Sequence, residues 1–232
     1  MKKSIIALAM LSASSSAFAS QLTNGFEVGL NTFMFADRDI VIKGSETVSN
    51  IYSLDKFTVQ YEPITADLSG TSSAIVAGYT WFYEDKMLNI NGSYALKSDI
   101  EASKGGSTLK AETDMFSIGL DYGKRLRANT PTYFGLSVDL MHQTYDSTSS
   151  DSTGHLFTEI ASISDINTGL FVKHYFSNNI WMMLDAGITF NASSEYKSSD
   201  KLFAGSLEYS FDTKGEVDSI SPYIGLTIGG KF

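Results

Sequence analysis

The chain contains no cysteine, only three prolines and, after its first twenty positions, no run of 18 consecutive apolar residues. Without cysteine it has neither disulfides nor thiol chemistry. Without a long apolar run it has no transmembrane helix. Basic residues are scarce too, with 17 Lys and Arg against 26 Asp and Glu. Phosphate contacts need a basic patch, so nucleic acid is excluded as a partner. What the chain has in quantity is 19 glycines, 15 phenylalanines and 12 tyrosines. That mixture favours strands over helices.

The opening "MKKSIIALAMLSASSSAFAS" has a basic start at Lys2 and Lys3, an apolar stretch from Ile5 to Leu11 and a small-residue end at Ala17-Phe18-Ala19. It reads as a secretory signal spanning residues 1–19, cleaved after Ala19. Its apolar core is too short to span a bilayer. No cysteine follows the cleavage site, so a lipoprotein anchor is not expected. Residues 20–232 then form one exported domain with 15 basic against 26 acidic residues, a net charge of −11, because the signal removes two lysines and no acid.

Eight segments alternate between apolar and polar residues, near 24–35, 73–83, 87–98, 114–124, 132–145, 164–176, 180–191 and 220–232. Period two is the signature of a strand with unlike faces. One face carries Phe26, Val28, Leu30 and Met34 on the first strand, Phe134, Leu136, Val138 and Leu140 on the fifth, and Ile224, Leu226, Ile228 and Phe232 on the last. Across all eight segments this face has no Asp, Glu, Lys or Arg. The opposite face carries Glu27, Lys97, Asp121, Asp139, Lys173, Asp185 and Lys231. A lysine or arginine facing lipid at midplane costs about 2–4 kcal/mol, so the segregation has a cause if the apolar face meets lipid.

The connections alternate as well. Residues 84–86, 125–131 and 177–179 are short, while 36–72, 99–113, 146–163 and 192–219 are long and polar. Tight periplasmic turns and longer extracellular loops are the pattern of a membrane β-barrel. Trp81, Tyr83, Tyr122, Phe134, Phe176 and Phe232 fall at the periplasmic strand ends, and Tyr79, Tyr94 and Phe190 nearer the outer side, as two aromatic belts. A soluble β-sandwich also alternates, but it gives no reason for the alternating loop lengths or the belts.

The signal, the eight strands, the long outer loops and the final "YIGLTIGGKF" resemble the small outer-membrane barrels of the OmpA/OmpX/Ail type. The resemblance implies an all-β, up-and-down antiparallel transmembrane barrel in the outer membrane of a Gram-negative bacterium, surrounded by lipid and lipopolysaccharide. It implies that an aromatic-ended last strand is read by the barrel assembly machinery, here through Phe232 with Ile228, Leu226 and Tyr223 before it. The peptidoglycan-binding domain of the OmpA family is not expected. "KFTVQYE" (56–62) and "KLFAGSLEYSF" (201–211) alternate too. They read as β-extensions of loops 1 and 4 above the membrane, with a ten-stranded barrel as the alternative.

An eight-stranded barrel is filled by its own side chains. Glu27 and Lys231 are expected to pair at the periplasmic end, and Asp139, Lys173 and Asp185 to form one ionic cluster with Asn31, Asn89, Asn91 and Asn167 around it. A plug of satisfied charges is preferred to a gate. Of the three histidines, His155 lies in a loop and His174 at the periplasmic rim. His142 and Thr144 share an outward face near the outer end of strand five, in a place where the lipid A deacylase barrels carry a His-x-Ser pair. Threonine replaces serine here and no orienting third residue is assigned. Asp146 and Asp151 lack calcium-loop spacing, so neither metal nor cofactor is expected.

The resulting expectation is a non-enzymatic, monomeric barrel presenting loops 1 and 4 for adhesion, host or phage contact, or envelope integrity. Loop 1 bears Asp37, Arg38, Asp39, Lys43, Glu46, Asp55 and Lys56, an acidic bias that argues against polyanionic ligands. A narrow gated channel and a lipid A-modifying enzyme using His142/Thr144 are the alternatives. Deleting Phe232 is expected to lower the amount of heat-modifiable, folded barrel in the outer membrane. Unchanged folded protein on a cold-versus-boiled gel refutes the role given to the terminus.

Overall fold

The computed structural model describes residues 22–50, 56–104, 107–150, 156–204, 207–217 and 220–232. The expected signal, Asp55, Asp151 and His155 lie outside the described residues, as do the side chains of Asp37, Asp39, Lys97 and Asp146. Eleven strands follow one another: β1 (Gly25–Asn50), β2 (Lys56–Gln60), β3 (Ile64–Tyr83), β4 (Lys86–Lys104), β5 (Ser107–Glu112), β6 (Asp114–Arg125), β7 (Thr132–Ser150), β8 (Leu156–Tyr175), β9 (Ile180–Ala204), β10 (Leu207–Val217) and β11 (Ile220–Lys231). Eight of them close a ring of antiparallel neighbours, β1-β3-β4-β6-β7-β8-β9-β11 and back to β1. The closing ladder runs from Glu27 opposite Lys231 to Phe35 opposite Tyr223. With its apolar residues outside and charges inside, this is a transmembrane up-and-down β-barrel.

The outward residues are those the alternation marks. Phe26, Leu30, Ile75, Ile90, Ile118, Leu136, Leu170, Ile188 and Ile228 are all exposed on the wall. Aromatic residues gather at the short-turn end, where Tyr83 and Phe232 are 69% and 82% exposed, while Tyr94 and Phe190 stand exposed nearer the long hairpins. Tyr79 belongs to the short-turn group and not to the outer belt. Its ring stands 4.9 Å from Phe26 and 4.6 Å from Trp81. The β3–β4 turn places Glu84 at φ 54°. Beside it Asp85 pairs with Lys124 at 3.2 Å.

The strands run farther than expected. A spanning β-strand needs about 9–11 residues, yet β1 has 26 and β9 has 25. Hydrophobic alternation fades beyond the membrane because both faces of the strand then meet water, while the hydrogen-bond ladder continues. The long connections at 99–113 and 146–163 are accordingly also strand: β5 folds back on β4, and β7 and β8 stay paired from Thr132–His174 to Ser150–Leu156. The extension of the first and fourth connections is continuous with the barrel. β10 fills, above β11, the same slot between β1 and β9. It pairs Ile40–Asn50 with Val217–Leu207 on one side and Tyr196–Ala204 on the other. β2 adds to the outer part of β1. The ring therefore stays at eight, and the ten-strand alternative does not arise.

Three pairs of facing glycines thin the wall, Gly29 opposite Gly229, Gly123 opposite Gly135 and Gly169 opposite Gly187. A Cβ on Gly123 would lie 2.8 Å from the Phe171 ring, and one on Gly169 would lie 2.5 Å from the Tyr223 hydroxyl. Lumen rings therefore lie over inward-facing glycines, an arrangement found in curved sheets. A Cβ on Gly135 would stand 2.0 Å from the Tyr122 carbonyl oxygen and 2.5 Å from the Gly123 Cα. Gly135→Ala is expected to destabilise the barrel by about 1–3 kcal/mol, the cost of overpacking against backbone that has little room to yield. A lower urea midpoint in detergent is the readout, and an unchanged midpoint refutes the close approach.

Candidate functional site in the barrel lumen

The lumen is layered along the barrel. Nearest the short turns, Met87, Tyr133, Phe171, Tyr175 and Trp181 form an apolar cluster. Toward the long hairpins, Phe33, Phe35, Ala74, Ala95, Met115, Met141, Ile163 and Tyr223 form a second. Between them lies a polar band with a cavity of about 70 Å³, lined among others by Asn31, Asn91, Asp121, Asp139, Lys173 and Asp185. That is room for several water molecules, each needing about 10–15 Å³ by this measure.

The ion pairs differ from those expected. Glu27 and Lys231 are ladder neighbours. Yet Glu27 pairs with Lys173 of β8, three strands away around the wall. The Tyr175 hydroxyl donates to the second Glu27 oxygen at 2.7 Å, and the Lys173 ammonium sits 4.1 Å above the Trp181 ring. Lys231 instead donates to the Thr23 carbonyl and lies 4.5 Å above the Phe82 ring. A long lysine side chain crosses the lumen more readily than a short acid, which is why Lys173 finds Glu27. Asp139 and Asp185 therefore do not share Lys173 as expected. Both line the cavity together with Asp121, and among the described residues none of the three forms an ion pair.

The asparagines do bond, largely with one another and with hydroxyls. Asn91 Nδ2 donates to Asn89 Oδ1 at 2.9 Å and to Asp121 Oδ2 at 3.1 Å. Asn89 donates to Thr80, and Asn31 to Thr227, each at 2.7 Å. Asn167 accepts from Thr189 at 2.8 Å.

One ion pair was not foreseen. Arg38 of β1 holds Asp165 of β8 in a bidentate pair at 2.7 and 2.8 Å, and both side chains are fully buried. Asn191 donates to the same carboxylate at 3.1 Å. Strict alternation from Phe33 and Phe35 points residue 38 outward. The register shift between Phe35 and Arg38 turns it inward.

On the outer face, His142 Nδ1 lies 2.8 Å from Ser164 Oγ of the next strand, with the Phe116 ring 5.2 Å away. Thr144 stands opposite Asp114 and Ser162 in the ladder, so the hydroxyl beside His142 is not the expected one. His174 is likewise bonded through Nδ1, to Thr132 at 2.8 Å. Among the C-terminal residues, Phe232, Ile228 and Leu226 face outward, whereas Tyr223 is buried in the lumen and stacks on Phe33 at 5.2 Å.

No protein-family model and no curated protein sequence matches the chain. Solved structures do match. The outer membrane protein OprG from Pseudomonas aeruginosa is 14% identical, with 91% of this chain and 97% of that chain covered and a TM-score of 0.45. The outer membrane protease OmpT from Escherichia coli is 11% identical, with 88% and 97% covered and a TM-score of 0.34. The N-terminal β-barrel domain of Pseudomonas aeruginosa OprF is 15% identical, with 79% and 99% covered and a TM-score of 0.25. The architecture rests on the strand pairing of this chain itself: it is a small, closed, eight-stranded transmembrane barrel.

Removing one partner of a buried pair leaves an uncompensated charge. Lys173→Met is therefore expected to cost about 3–5 kcal/mol. Glu27→Gln combined with Lys173→Met is expected to recover much of that loss. Urea unfolding in detergent checks both; a double variant as unstable as the single one shows that Glu27 and Lys173 do not depend on each other.

Proposed function

We propose that the chain is a non-enzymatic bacterial outer-membrane barrel that holds a stiff β-extension at the cell surface for contact with a host or phage ligand. The observation that carries this reading is the ladder of β10 with both β1 and β9 above the apolar belt. Surface loops carry binding when a rigid scaffold positions them, and here the scaffold itself rises into the loops. Short contacts stiffen it further. The Tyr61 hydroxyl donates to Glu46 at 2.6 Å, and this bond raises the phenol above its ordinary 10.0. Thr47 and Thr58 hydroxyls meet at 3.1 Å across β1 and β2. Phe57 and Val59 of β2 and Phe211 of β10 lie exposed on this sheet, as apolar groups available to a ligand. Outer-leaflet lipopolysaccharide would surround the barrel wall, and the barrel assembly machinery would insert it, as a monomer.

A gated channel for small solutes is the second reading, favoured by the polar cavity between the two apolar clusters. The clusters themselves argue for a closed lumen. The decisive experiment replaces residues 45–60 and 199–213 by tight turns and leaves the lower barrel intact. Cells carrying the trimmed, heat-modifiable barrel are expected to lose the adhesion or phage adsorption that the full chain confers, and purified full-length barrel is expected to be silent in a planar bilayer. Unchanged adsorption after trimming, with steady conductance that Lys173→Met alters, would replace this reading with the channel.

A further inference from the structure

The stretch "KFTVQYE", from Lys56 of β2 to Glu62 just beyond it, uses only one of its two edges. β1 occupies that edge from Ser45–Gln60 to Ser49–Lys56, and β10 lies on the far side of β1. Among the described residues no strand pairs with the other edge. Every residue from Lys56 to Glu62 is exposed, Phe57 to 67%. An exposed edge that carries apolar side chains is a template for another strand.

The free edge has a fixed pattern of donors and acceptors. Tyr61 N–H donates to the Gly44 carbonyl, so residues 57, 59 and 61 turn their N–H and C=O toward β1. Lys56, Thr58, Gln60 and Glu62 therefore turn theirs to the free side. The side chains are complementary to their own reversal. Laid antiparallel against itself about Val59, the stretch sets Lys56 opposite Glu62, Phe57 opposite Tyr61, Thr58 opposite Gln60 and Val59 opposite itself. In this register the residues with free backbone groups face one another and bond. An opposite-charge pair closes each end, and an aromatic pair lies inside it. Such directly opposed pairs stabilise a sheet, whereas like charges weaken it. A slip of two residues keeps the backbone match but parts Lys56 from Glu62.

We propose that β2 pairs with the β2 of a second copy of this chain, carried in the outer membrane of a second cell. The orientation follows from symmetry. The antiparallel register has a two-fold axis through the Val59 pair, normal to the sheet and so to the barrel wall. Half a turn about that axis reverses the direction of the barrel. The two barrels then rise from facing membranes with their extensions side by side. Two copies in one membrane point the same way and cannot form this register, so each stays a monomer in its own membrane. One short ladder is weak, but facing cells engage many copies at once, and avidity multiplies the bond. The inference rests on the reading of the extension as a surface contact and names a second copy as what it contacts.

The test expresses the full chain in two differently coloured populations of cells that lack long surface polysaccharide, with folded barrel verified on the cold-versus-boiled gel. Wild-type cells are expected to clump with one another and not with cells lacking the barrel. Lys56→Glu puts two acids opposite each other and Glu62→Lys two bases, so each variant alone is expected to lose clumping. Mixing the two variants is expected to restore it in clumps of both colours, because every position 56 then faces an opposite charge at 62. The chain has no cysteine of its own. Val59→Cys lies on the axis and is expected to form a disulfide between copies on oxidation with diamide, while the exposed Thr58→Cys, which faces Gln60 and not itself, is not. Dispersed wild-type cells with folded barrel overturn the proposal. If those cells lose adsorption when the extension is trimmed, the surface-contact reading stands; if they keep it, both fall. Clumping that persists in either charge variant alone, or that the mixture does not restore, overturns the pairing. So does a Thr58→Cys cross-link as strong as that of Val59→Cys, and the cysteine comparison decides where a charge variant fails to fold.

Discussion

In hydrocarbon an unpaired backbone N–H or C=O costs several kcal/mol, so a sheet can cross a membrane only if its two edges meet. In this chain the edges are β1 and β11, and they meet from Glu27–Lys231 to Phe35–Tyr223. Everything else depends on that ladder. Closure makes an inside and an outside from the two faces that alternation creates. It places Glu27, Lys173 and the three aspartates in one narrow lumen, where Glu27 and Lys173 pair with each other. It also fixes the number of wall positions at eight, which in turn sets a lumen narrow enough for Lys173 to reach from β8 to the carboxylate of β1.

The sequence was most legible where a strand has two unlike neighbours. Lipid on one side and a packed interior on the other write period two into the chain, so the membrane-spanning part of all eight wall strands and their outward residues could be read directly. Above the membrane the two sides become alike, and the strands continued without a signal; β5 and the outer parts of β7 and β8 were invisible for that reason. The lumen was less legible still. Inward-facing charges could be identified by parity, but parity does not say which acid a lysine will reach across a tube, and Lys173 chose Glu27 over Asp139 and Asp185. Arg38 was assigned to loop 1 because the apolar alternation stops near residue 35; the strand continues beyond it, and a bulge turns the side chain into the lumen. Ser164 escaped notice because its link to His142 runs between strands 22 residues apart in sequence, and cross-strand register is not written locally.

The lumen solves its charge problem in three ways at three heights. Near the turns a lysine and a glutamate pair under an aromatic ring. Toward the hairpins Arg38 and Asp165 form a fully buried fork. In the middle acids outnumber bases, and the asparagines bond chiefly to one another and to hydroxyls, with Asn91 donating to Asp121. The two outer levels tie distant strands together and brace the tube across its diameter. The middle level keeps a small polar cavity between two apolar clusters.

The shared slot of β10 and β11 has a mechanical consequence. Because β10 sits directly above β11, between the same two neighbours, β1 and β9 run unbroken from the turn end of the barrel to the tip of the extension. A pull on the tip acts along those two strands and loads their ladders lengthwise, so many hydrogen bonds share the force at once. A flexible loop would pass the same pull to its two anchoring residues and peel them away one bond at a time. An attachment made at the tip is thus borne by the whole wall.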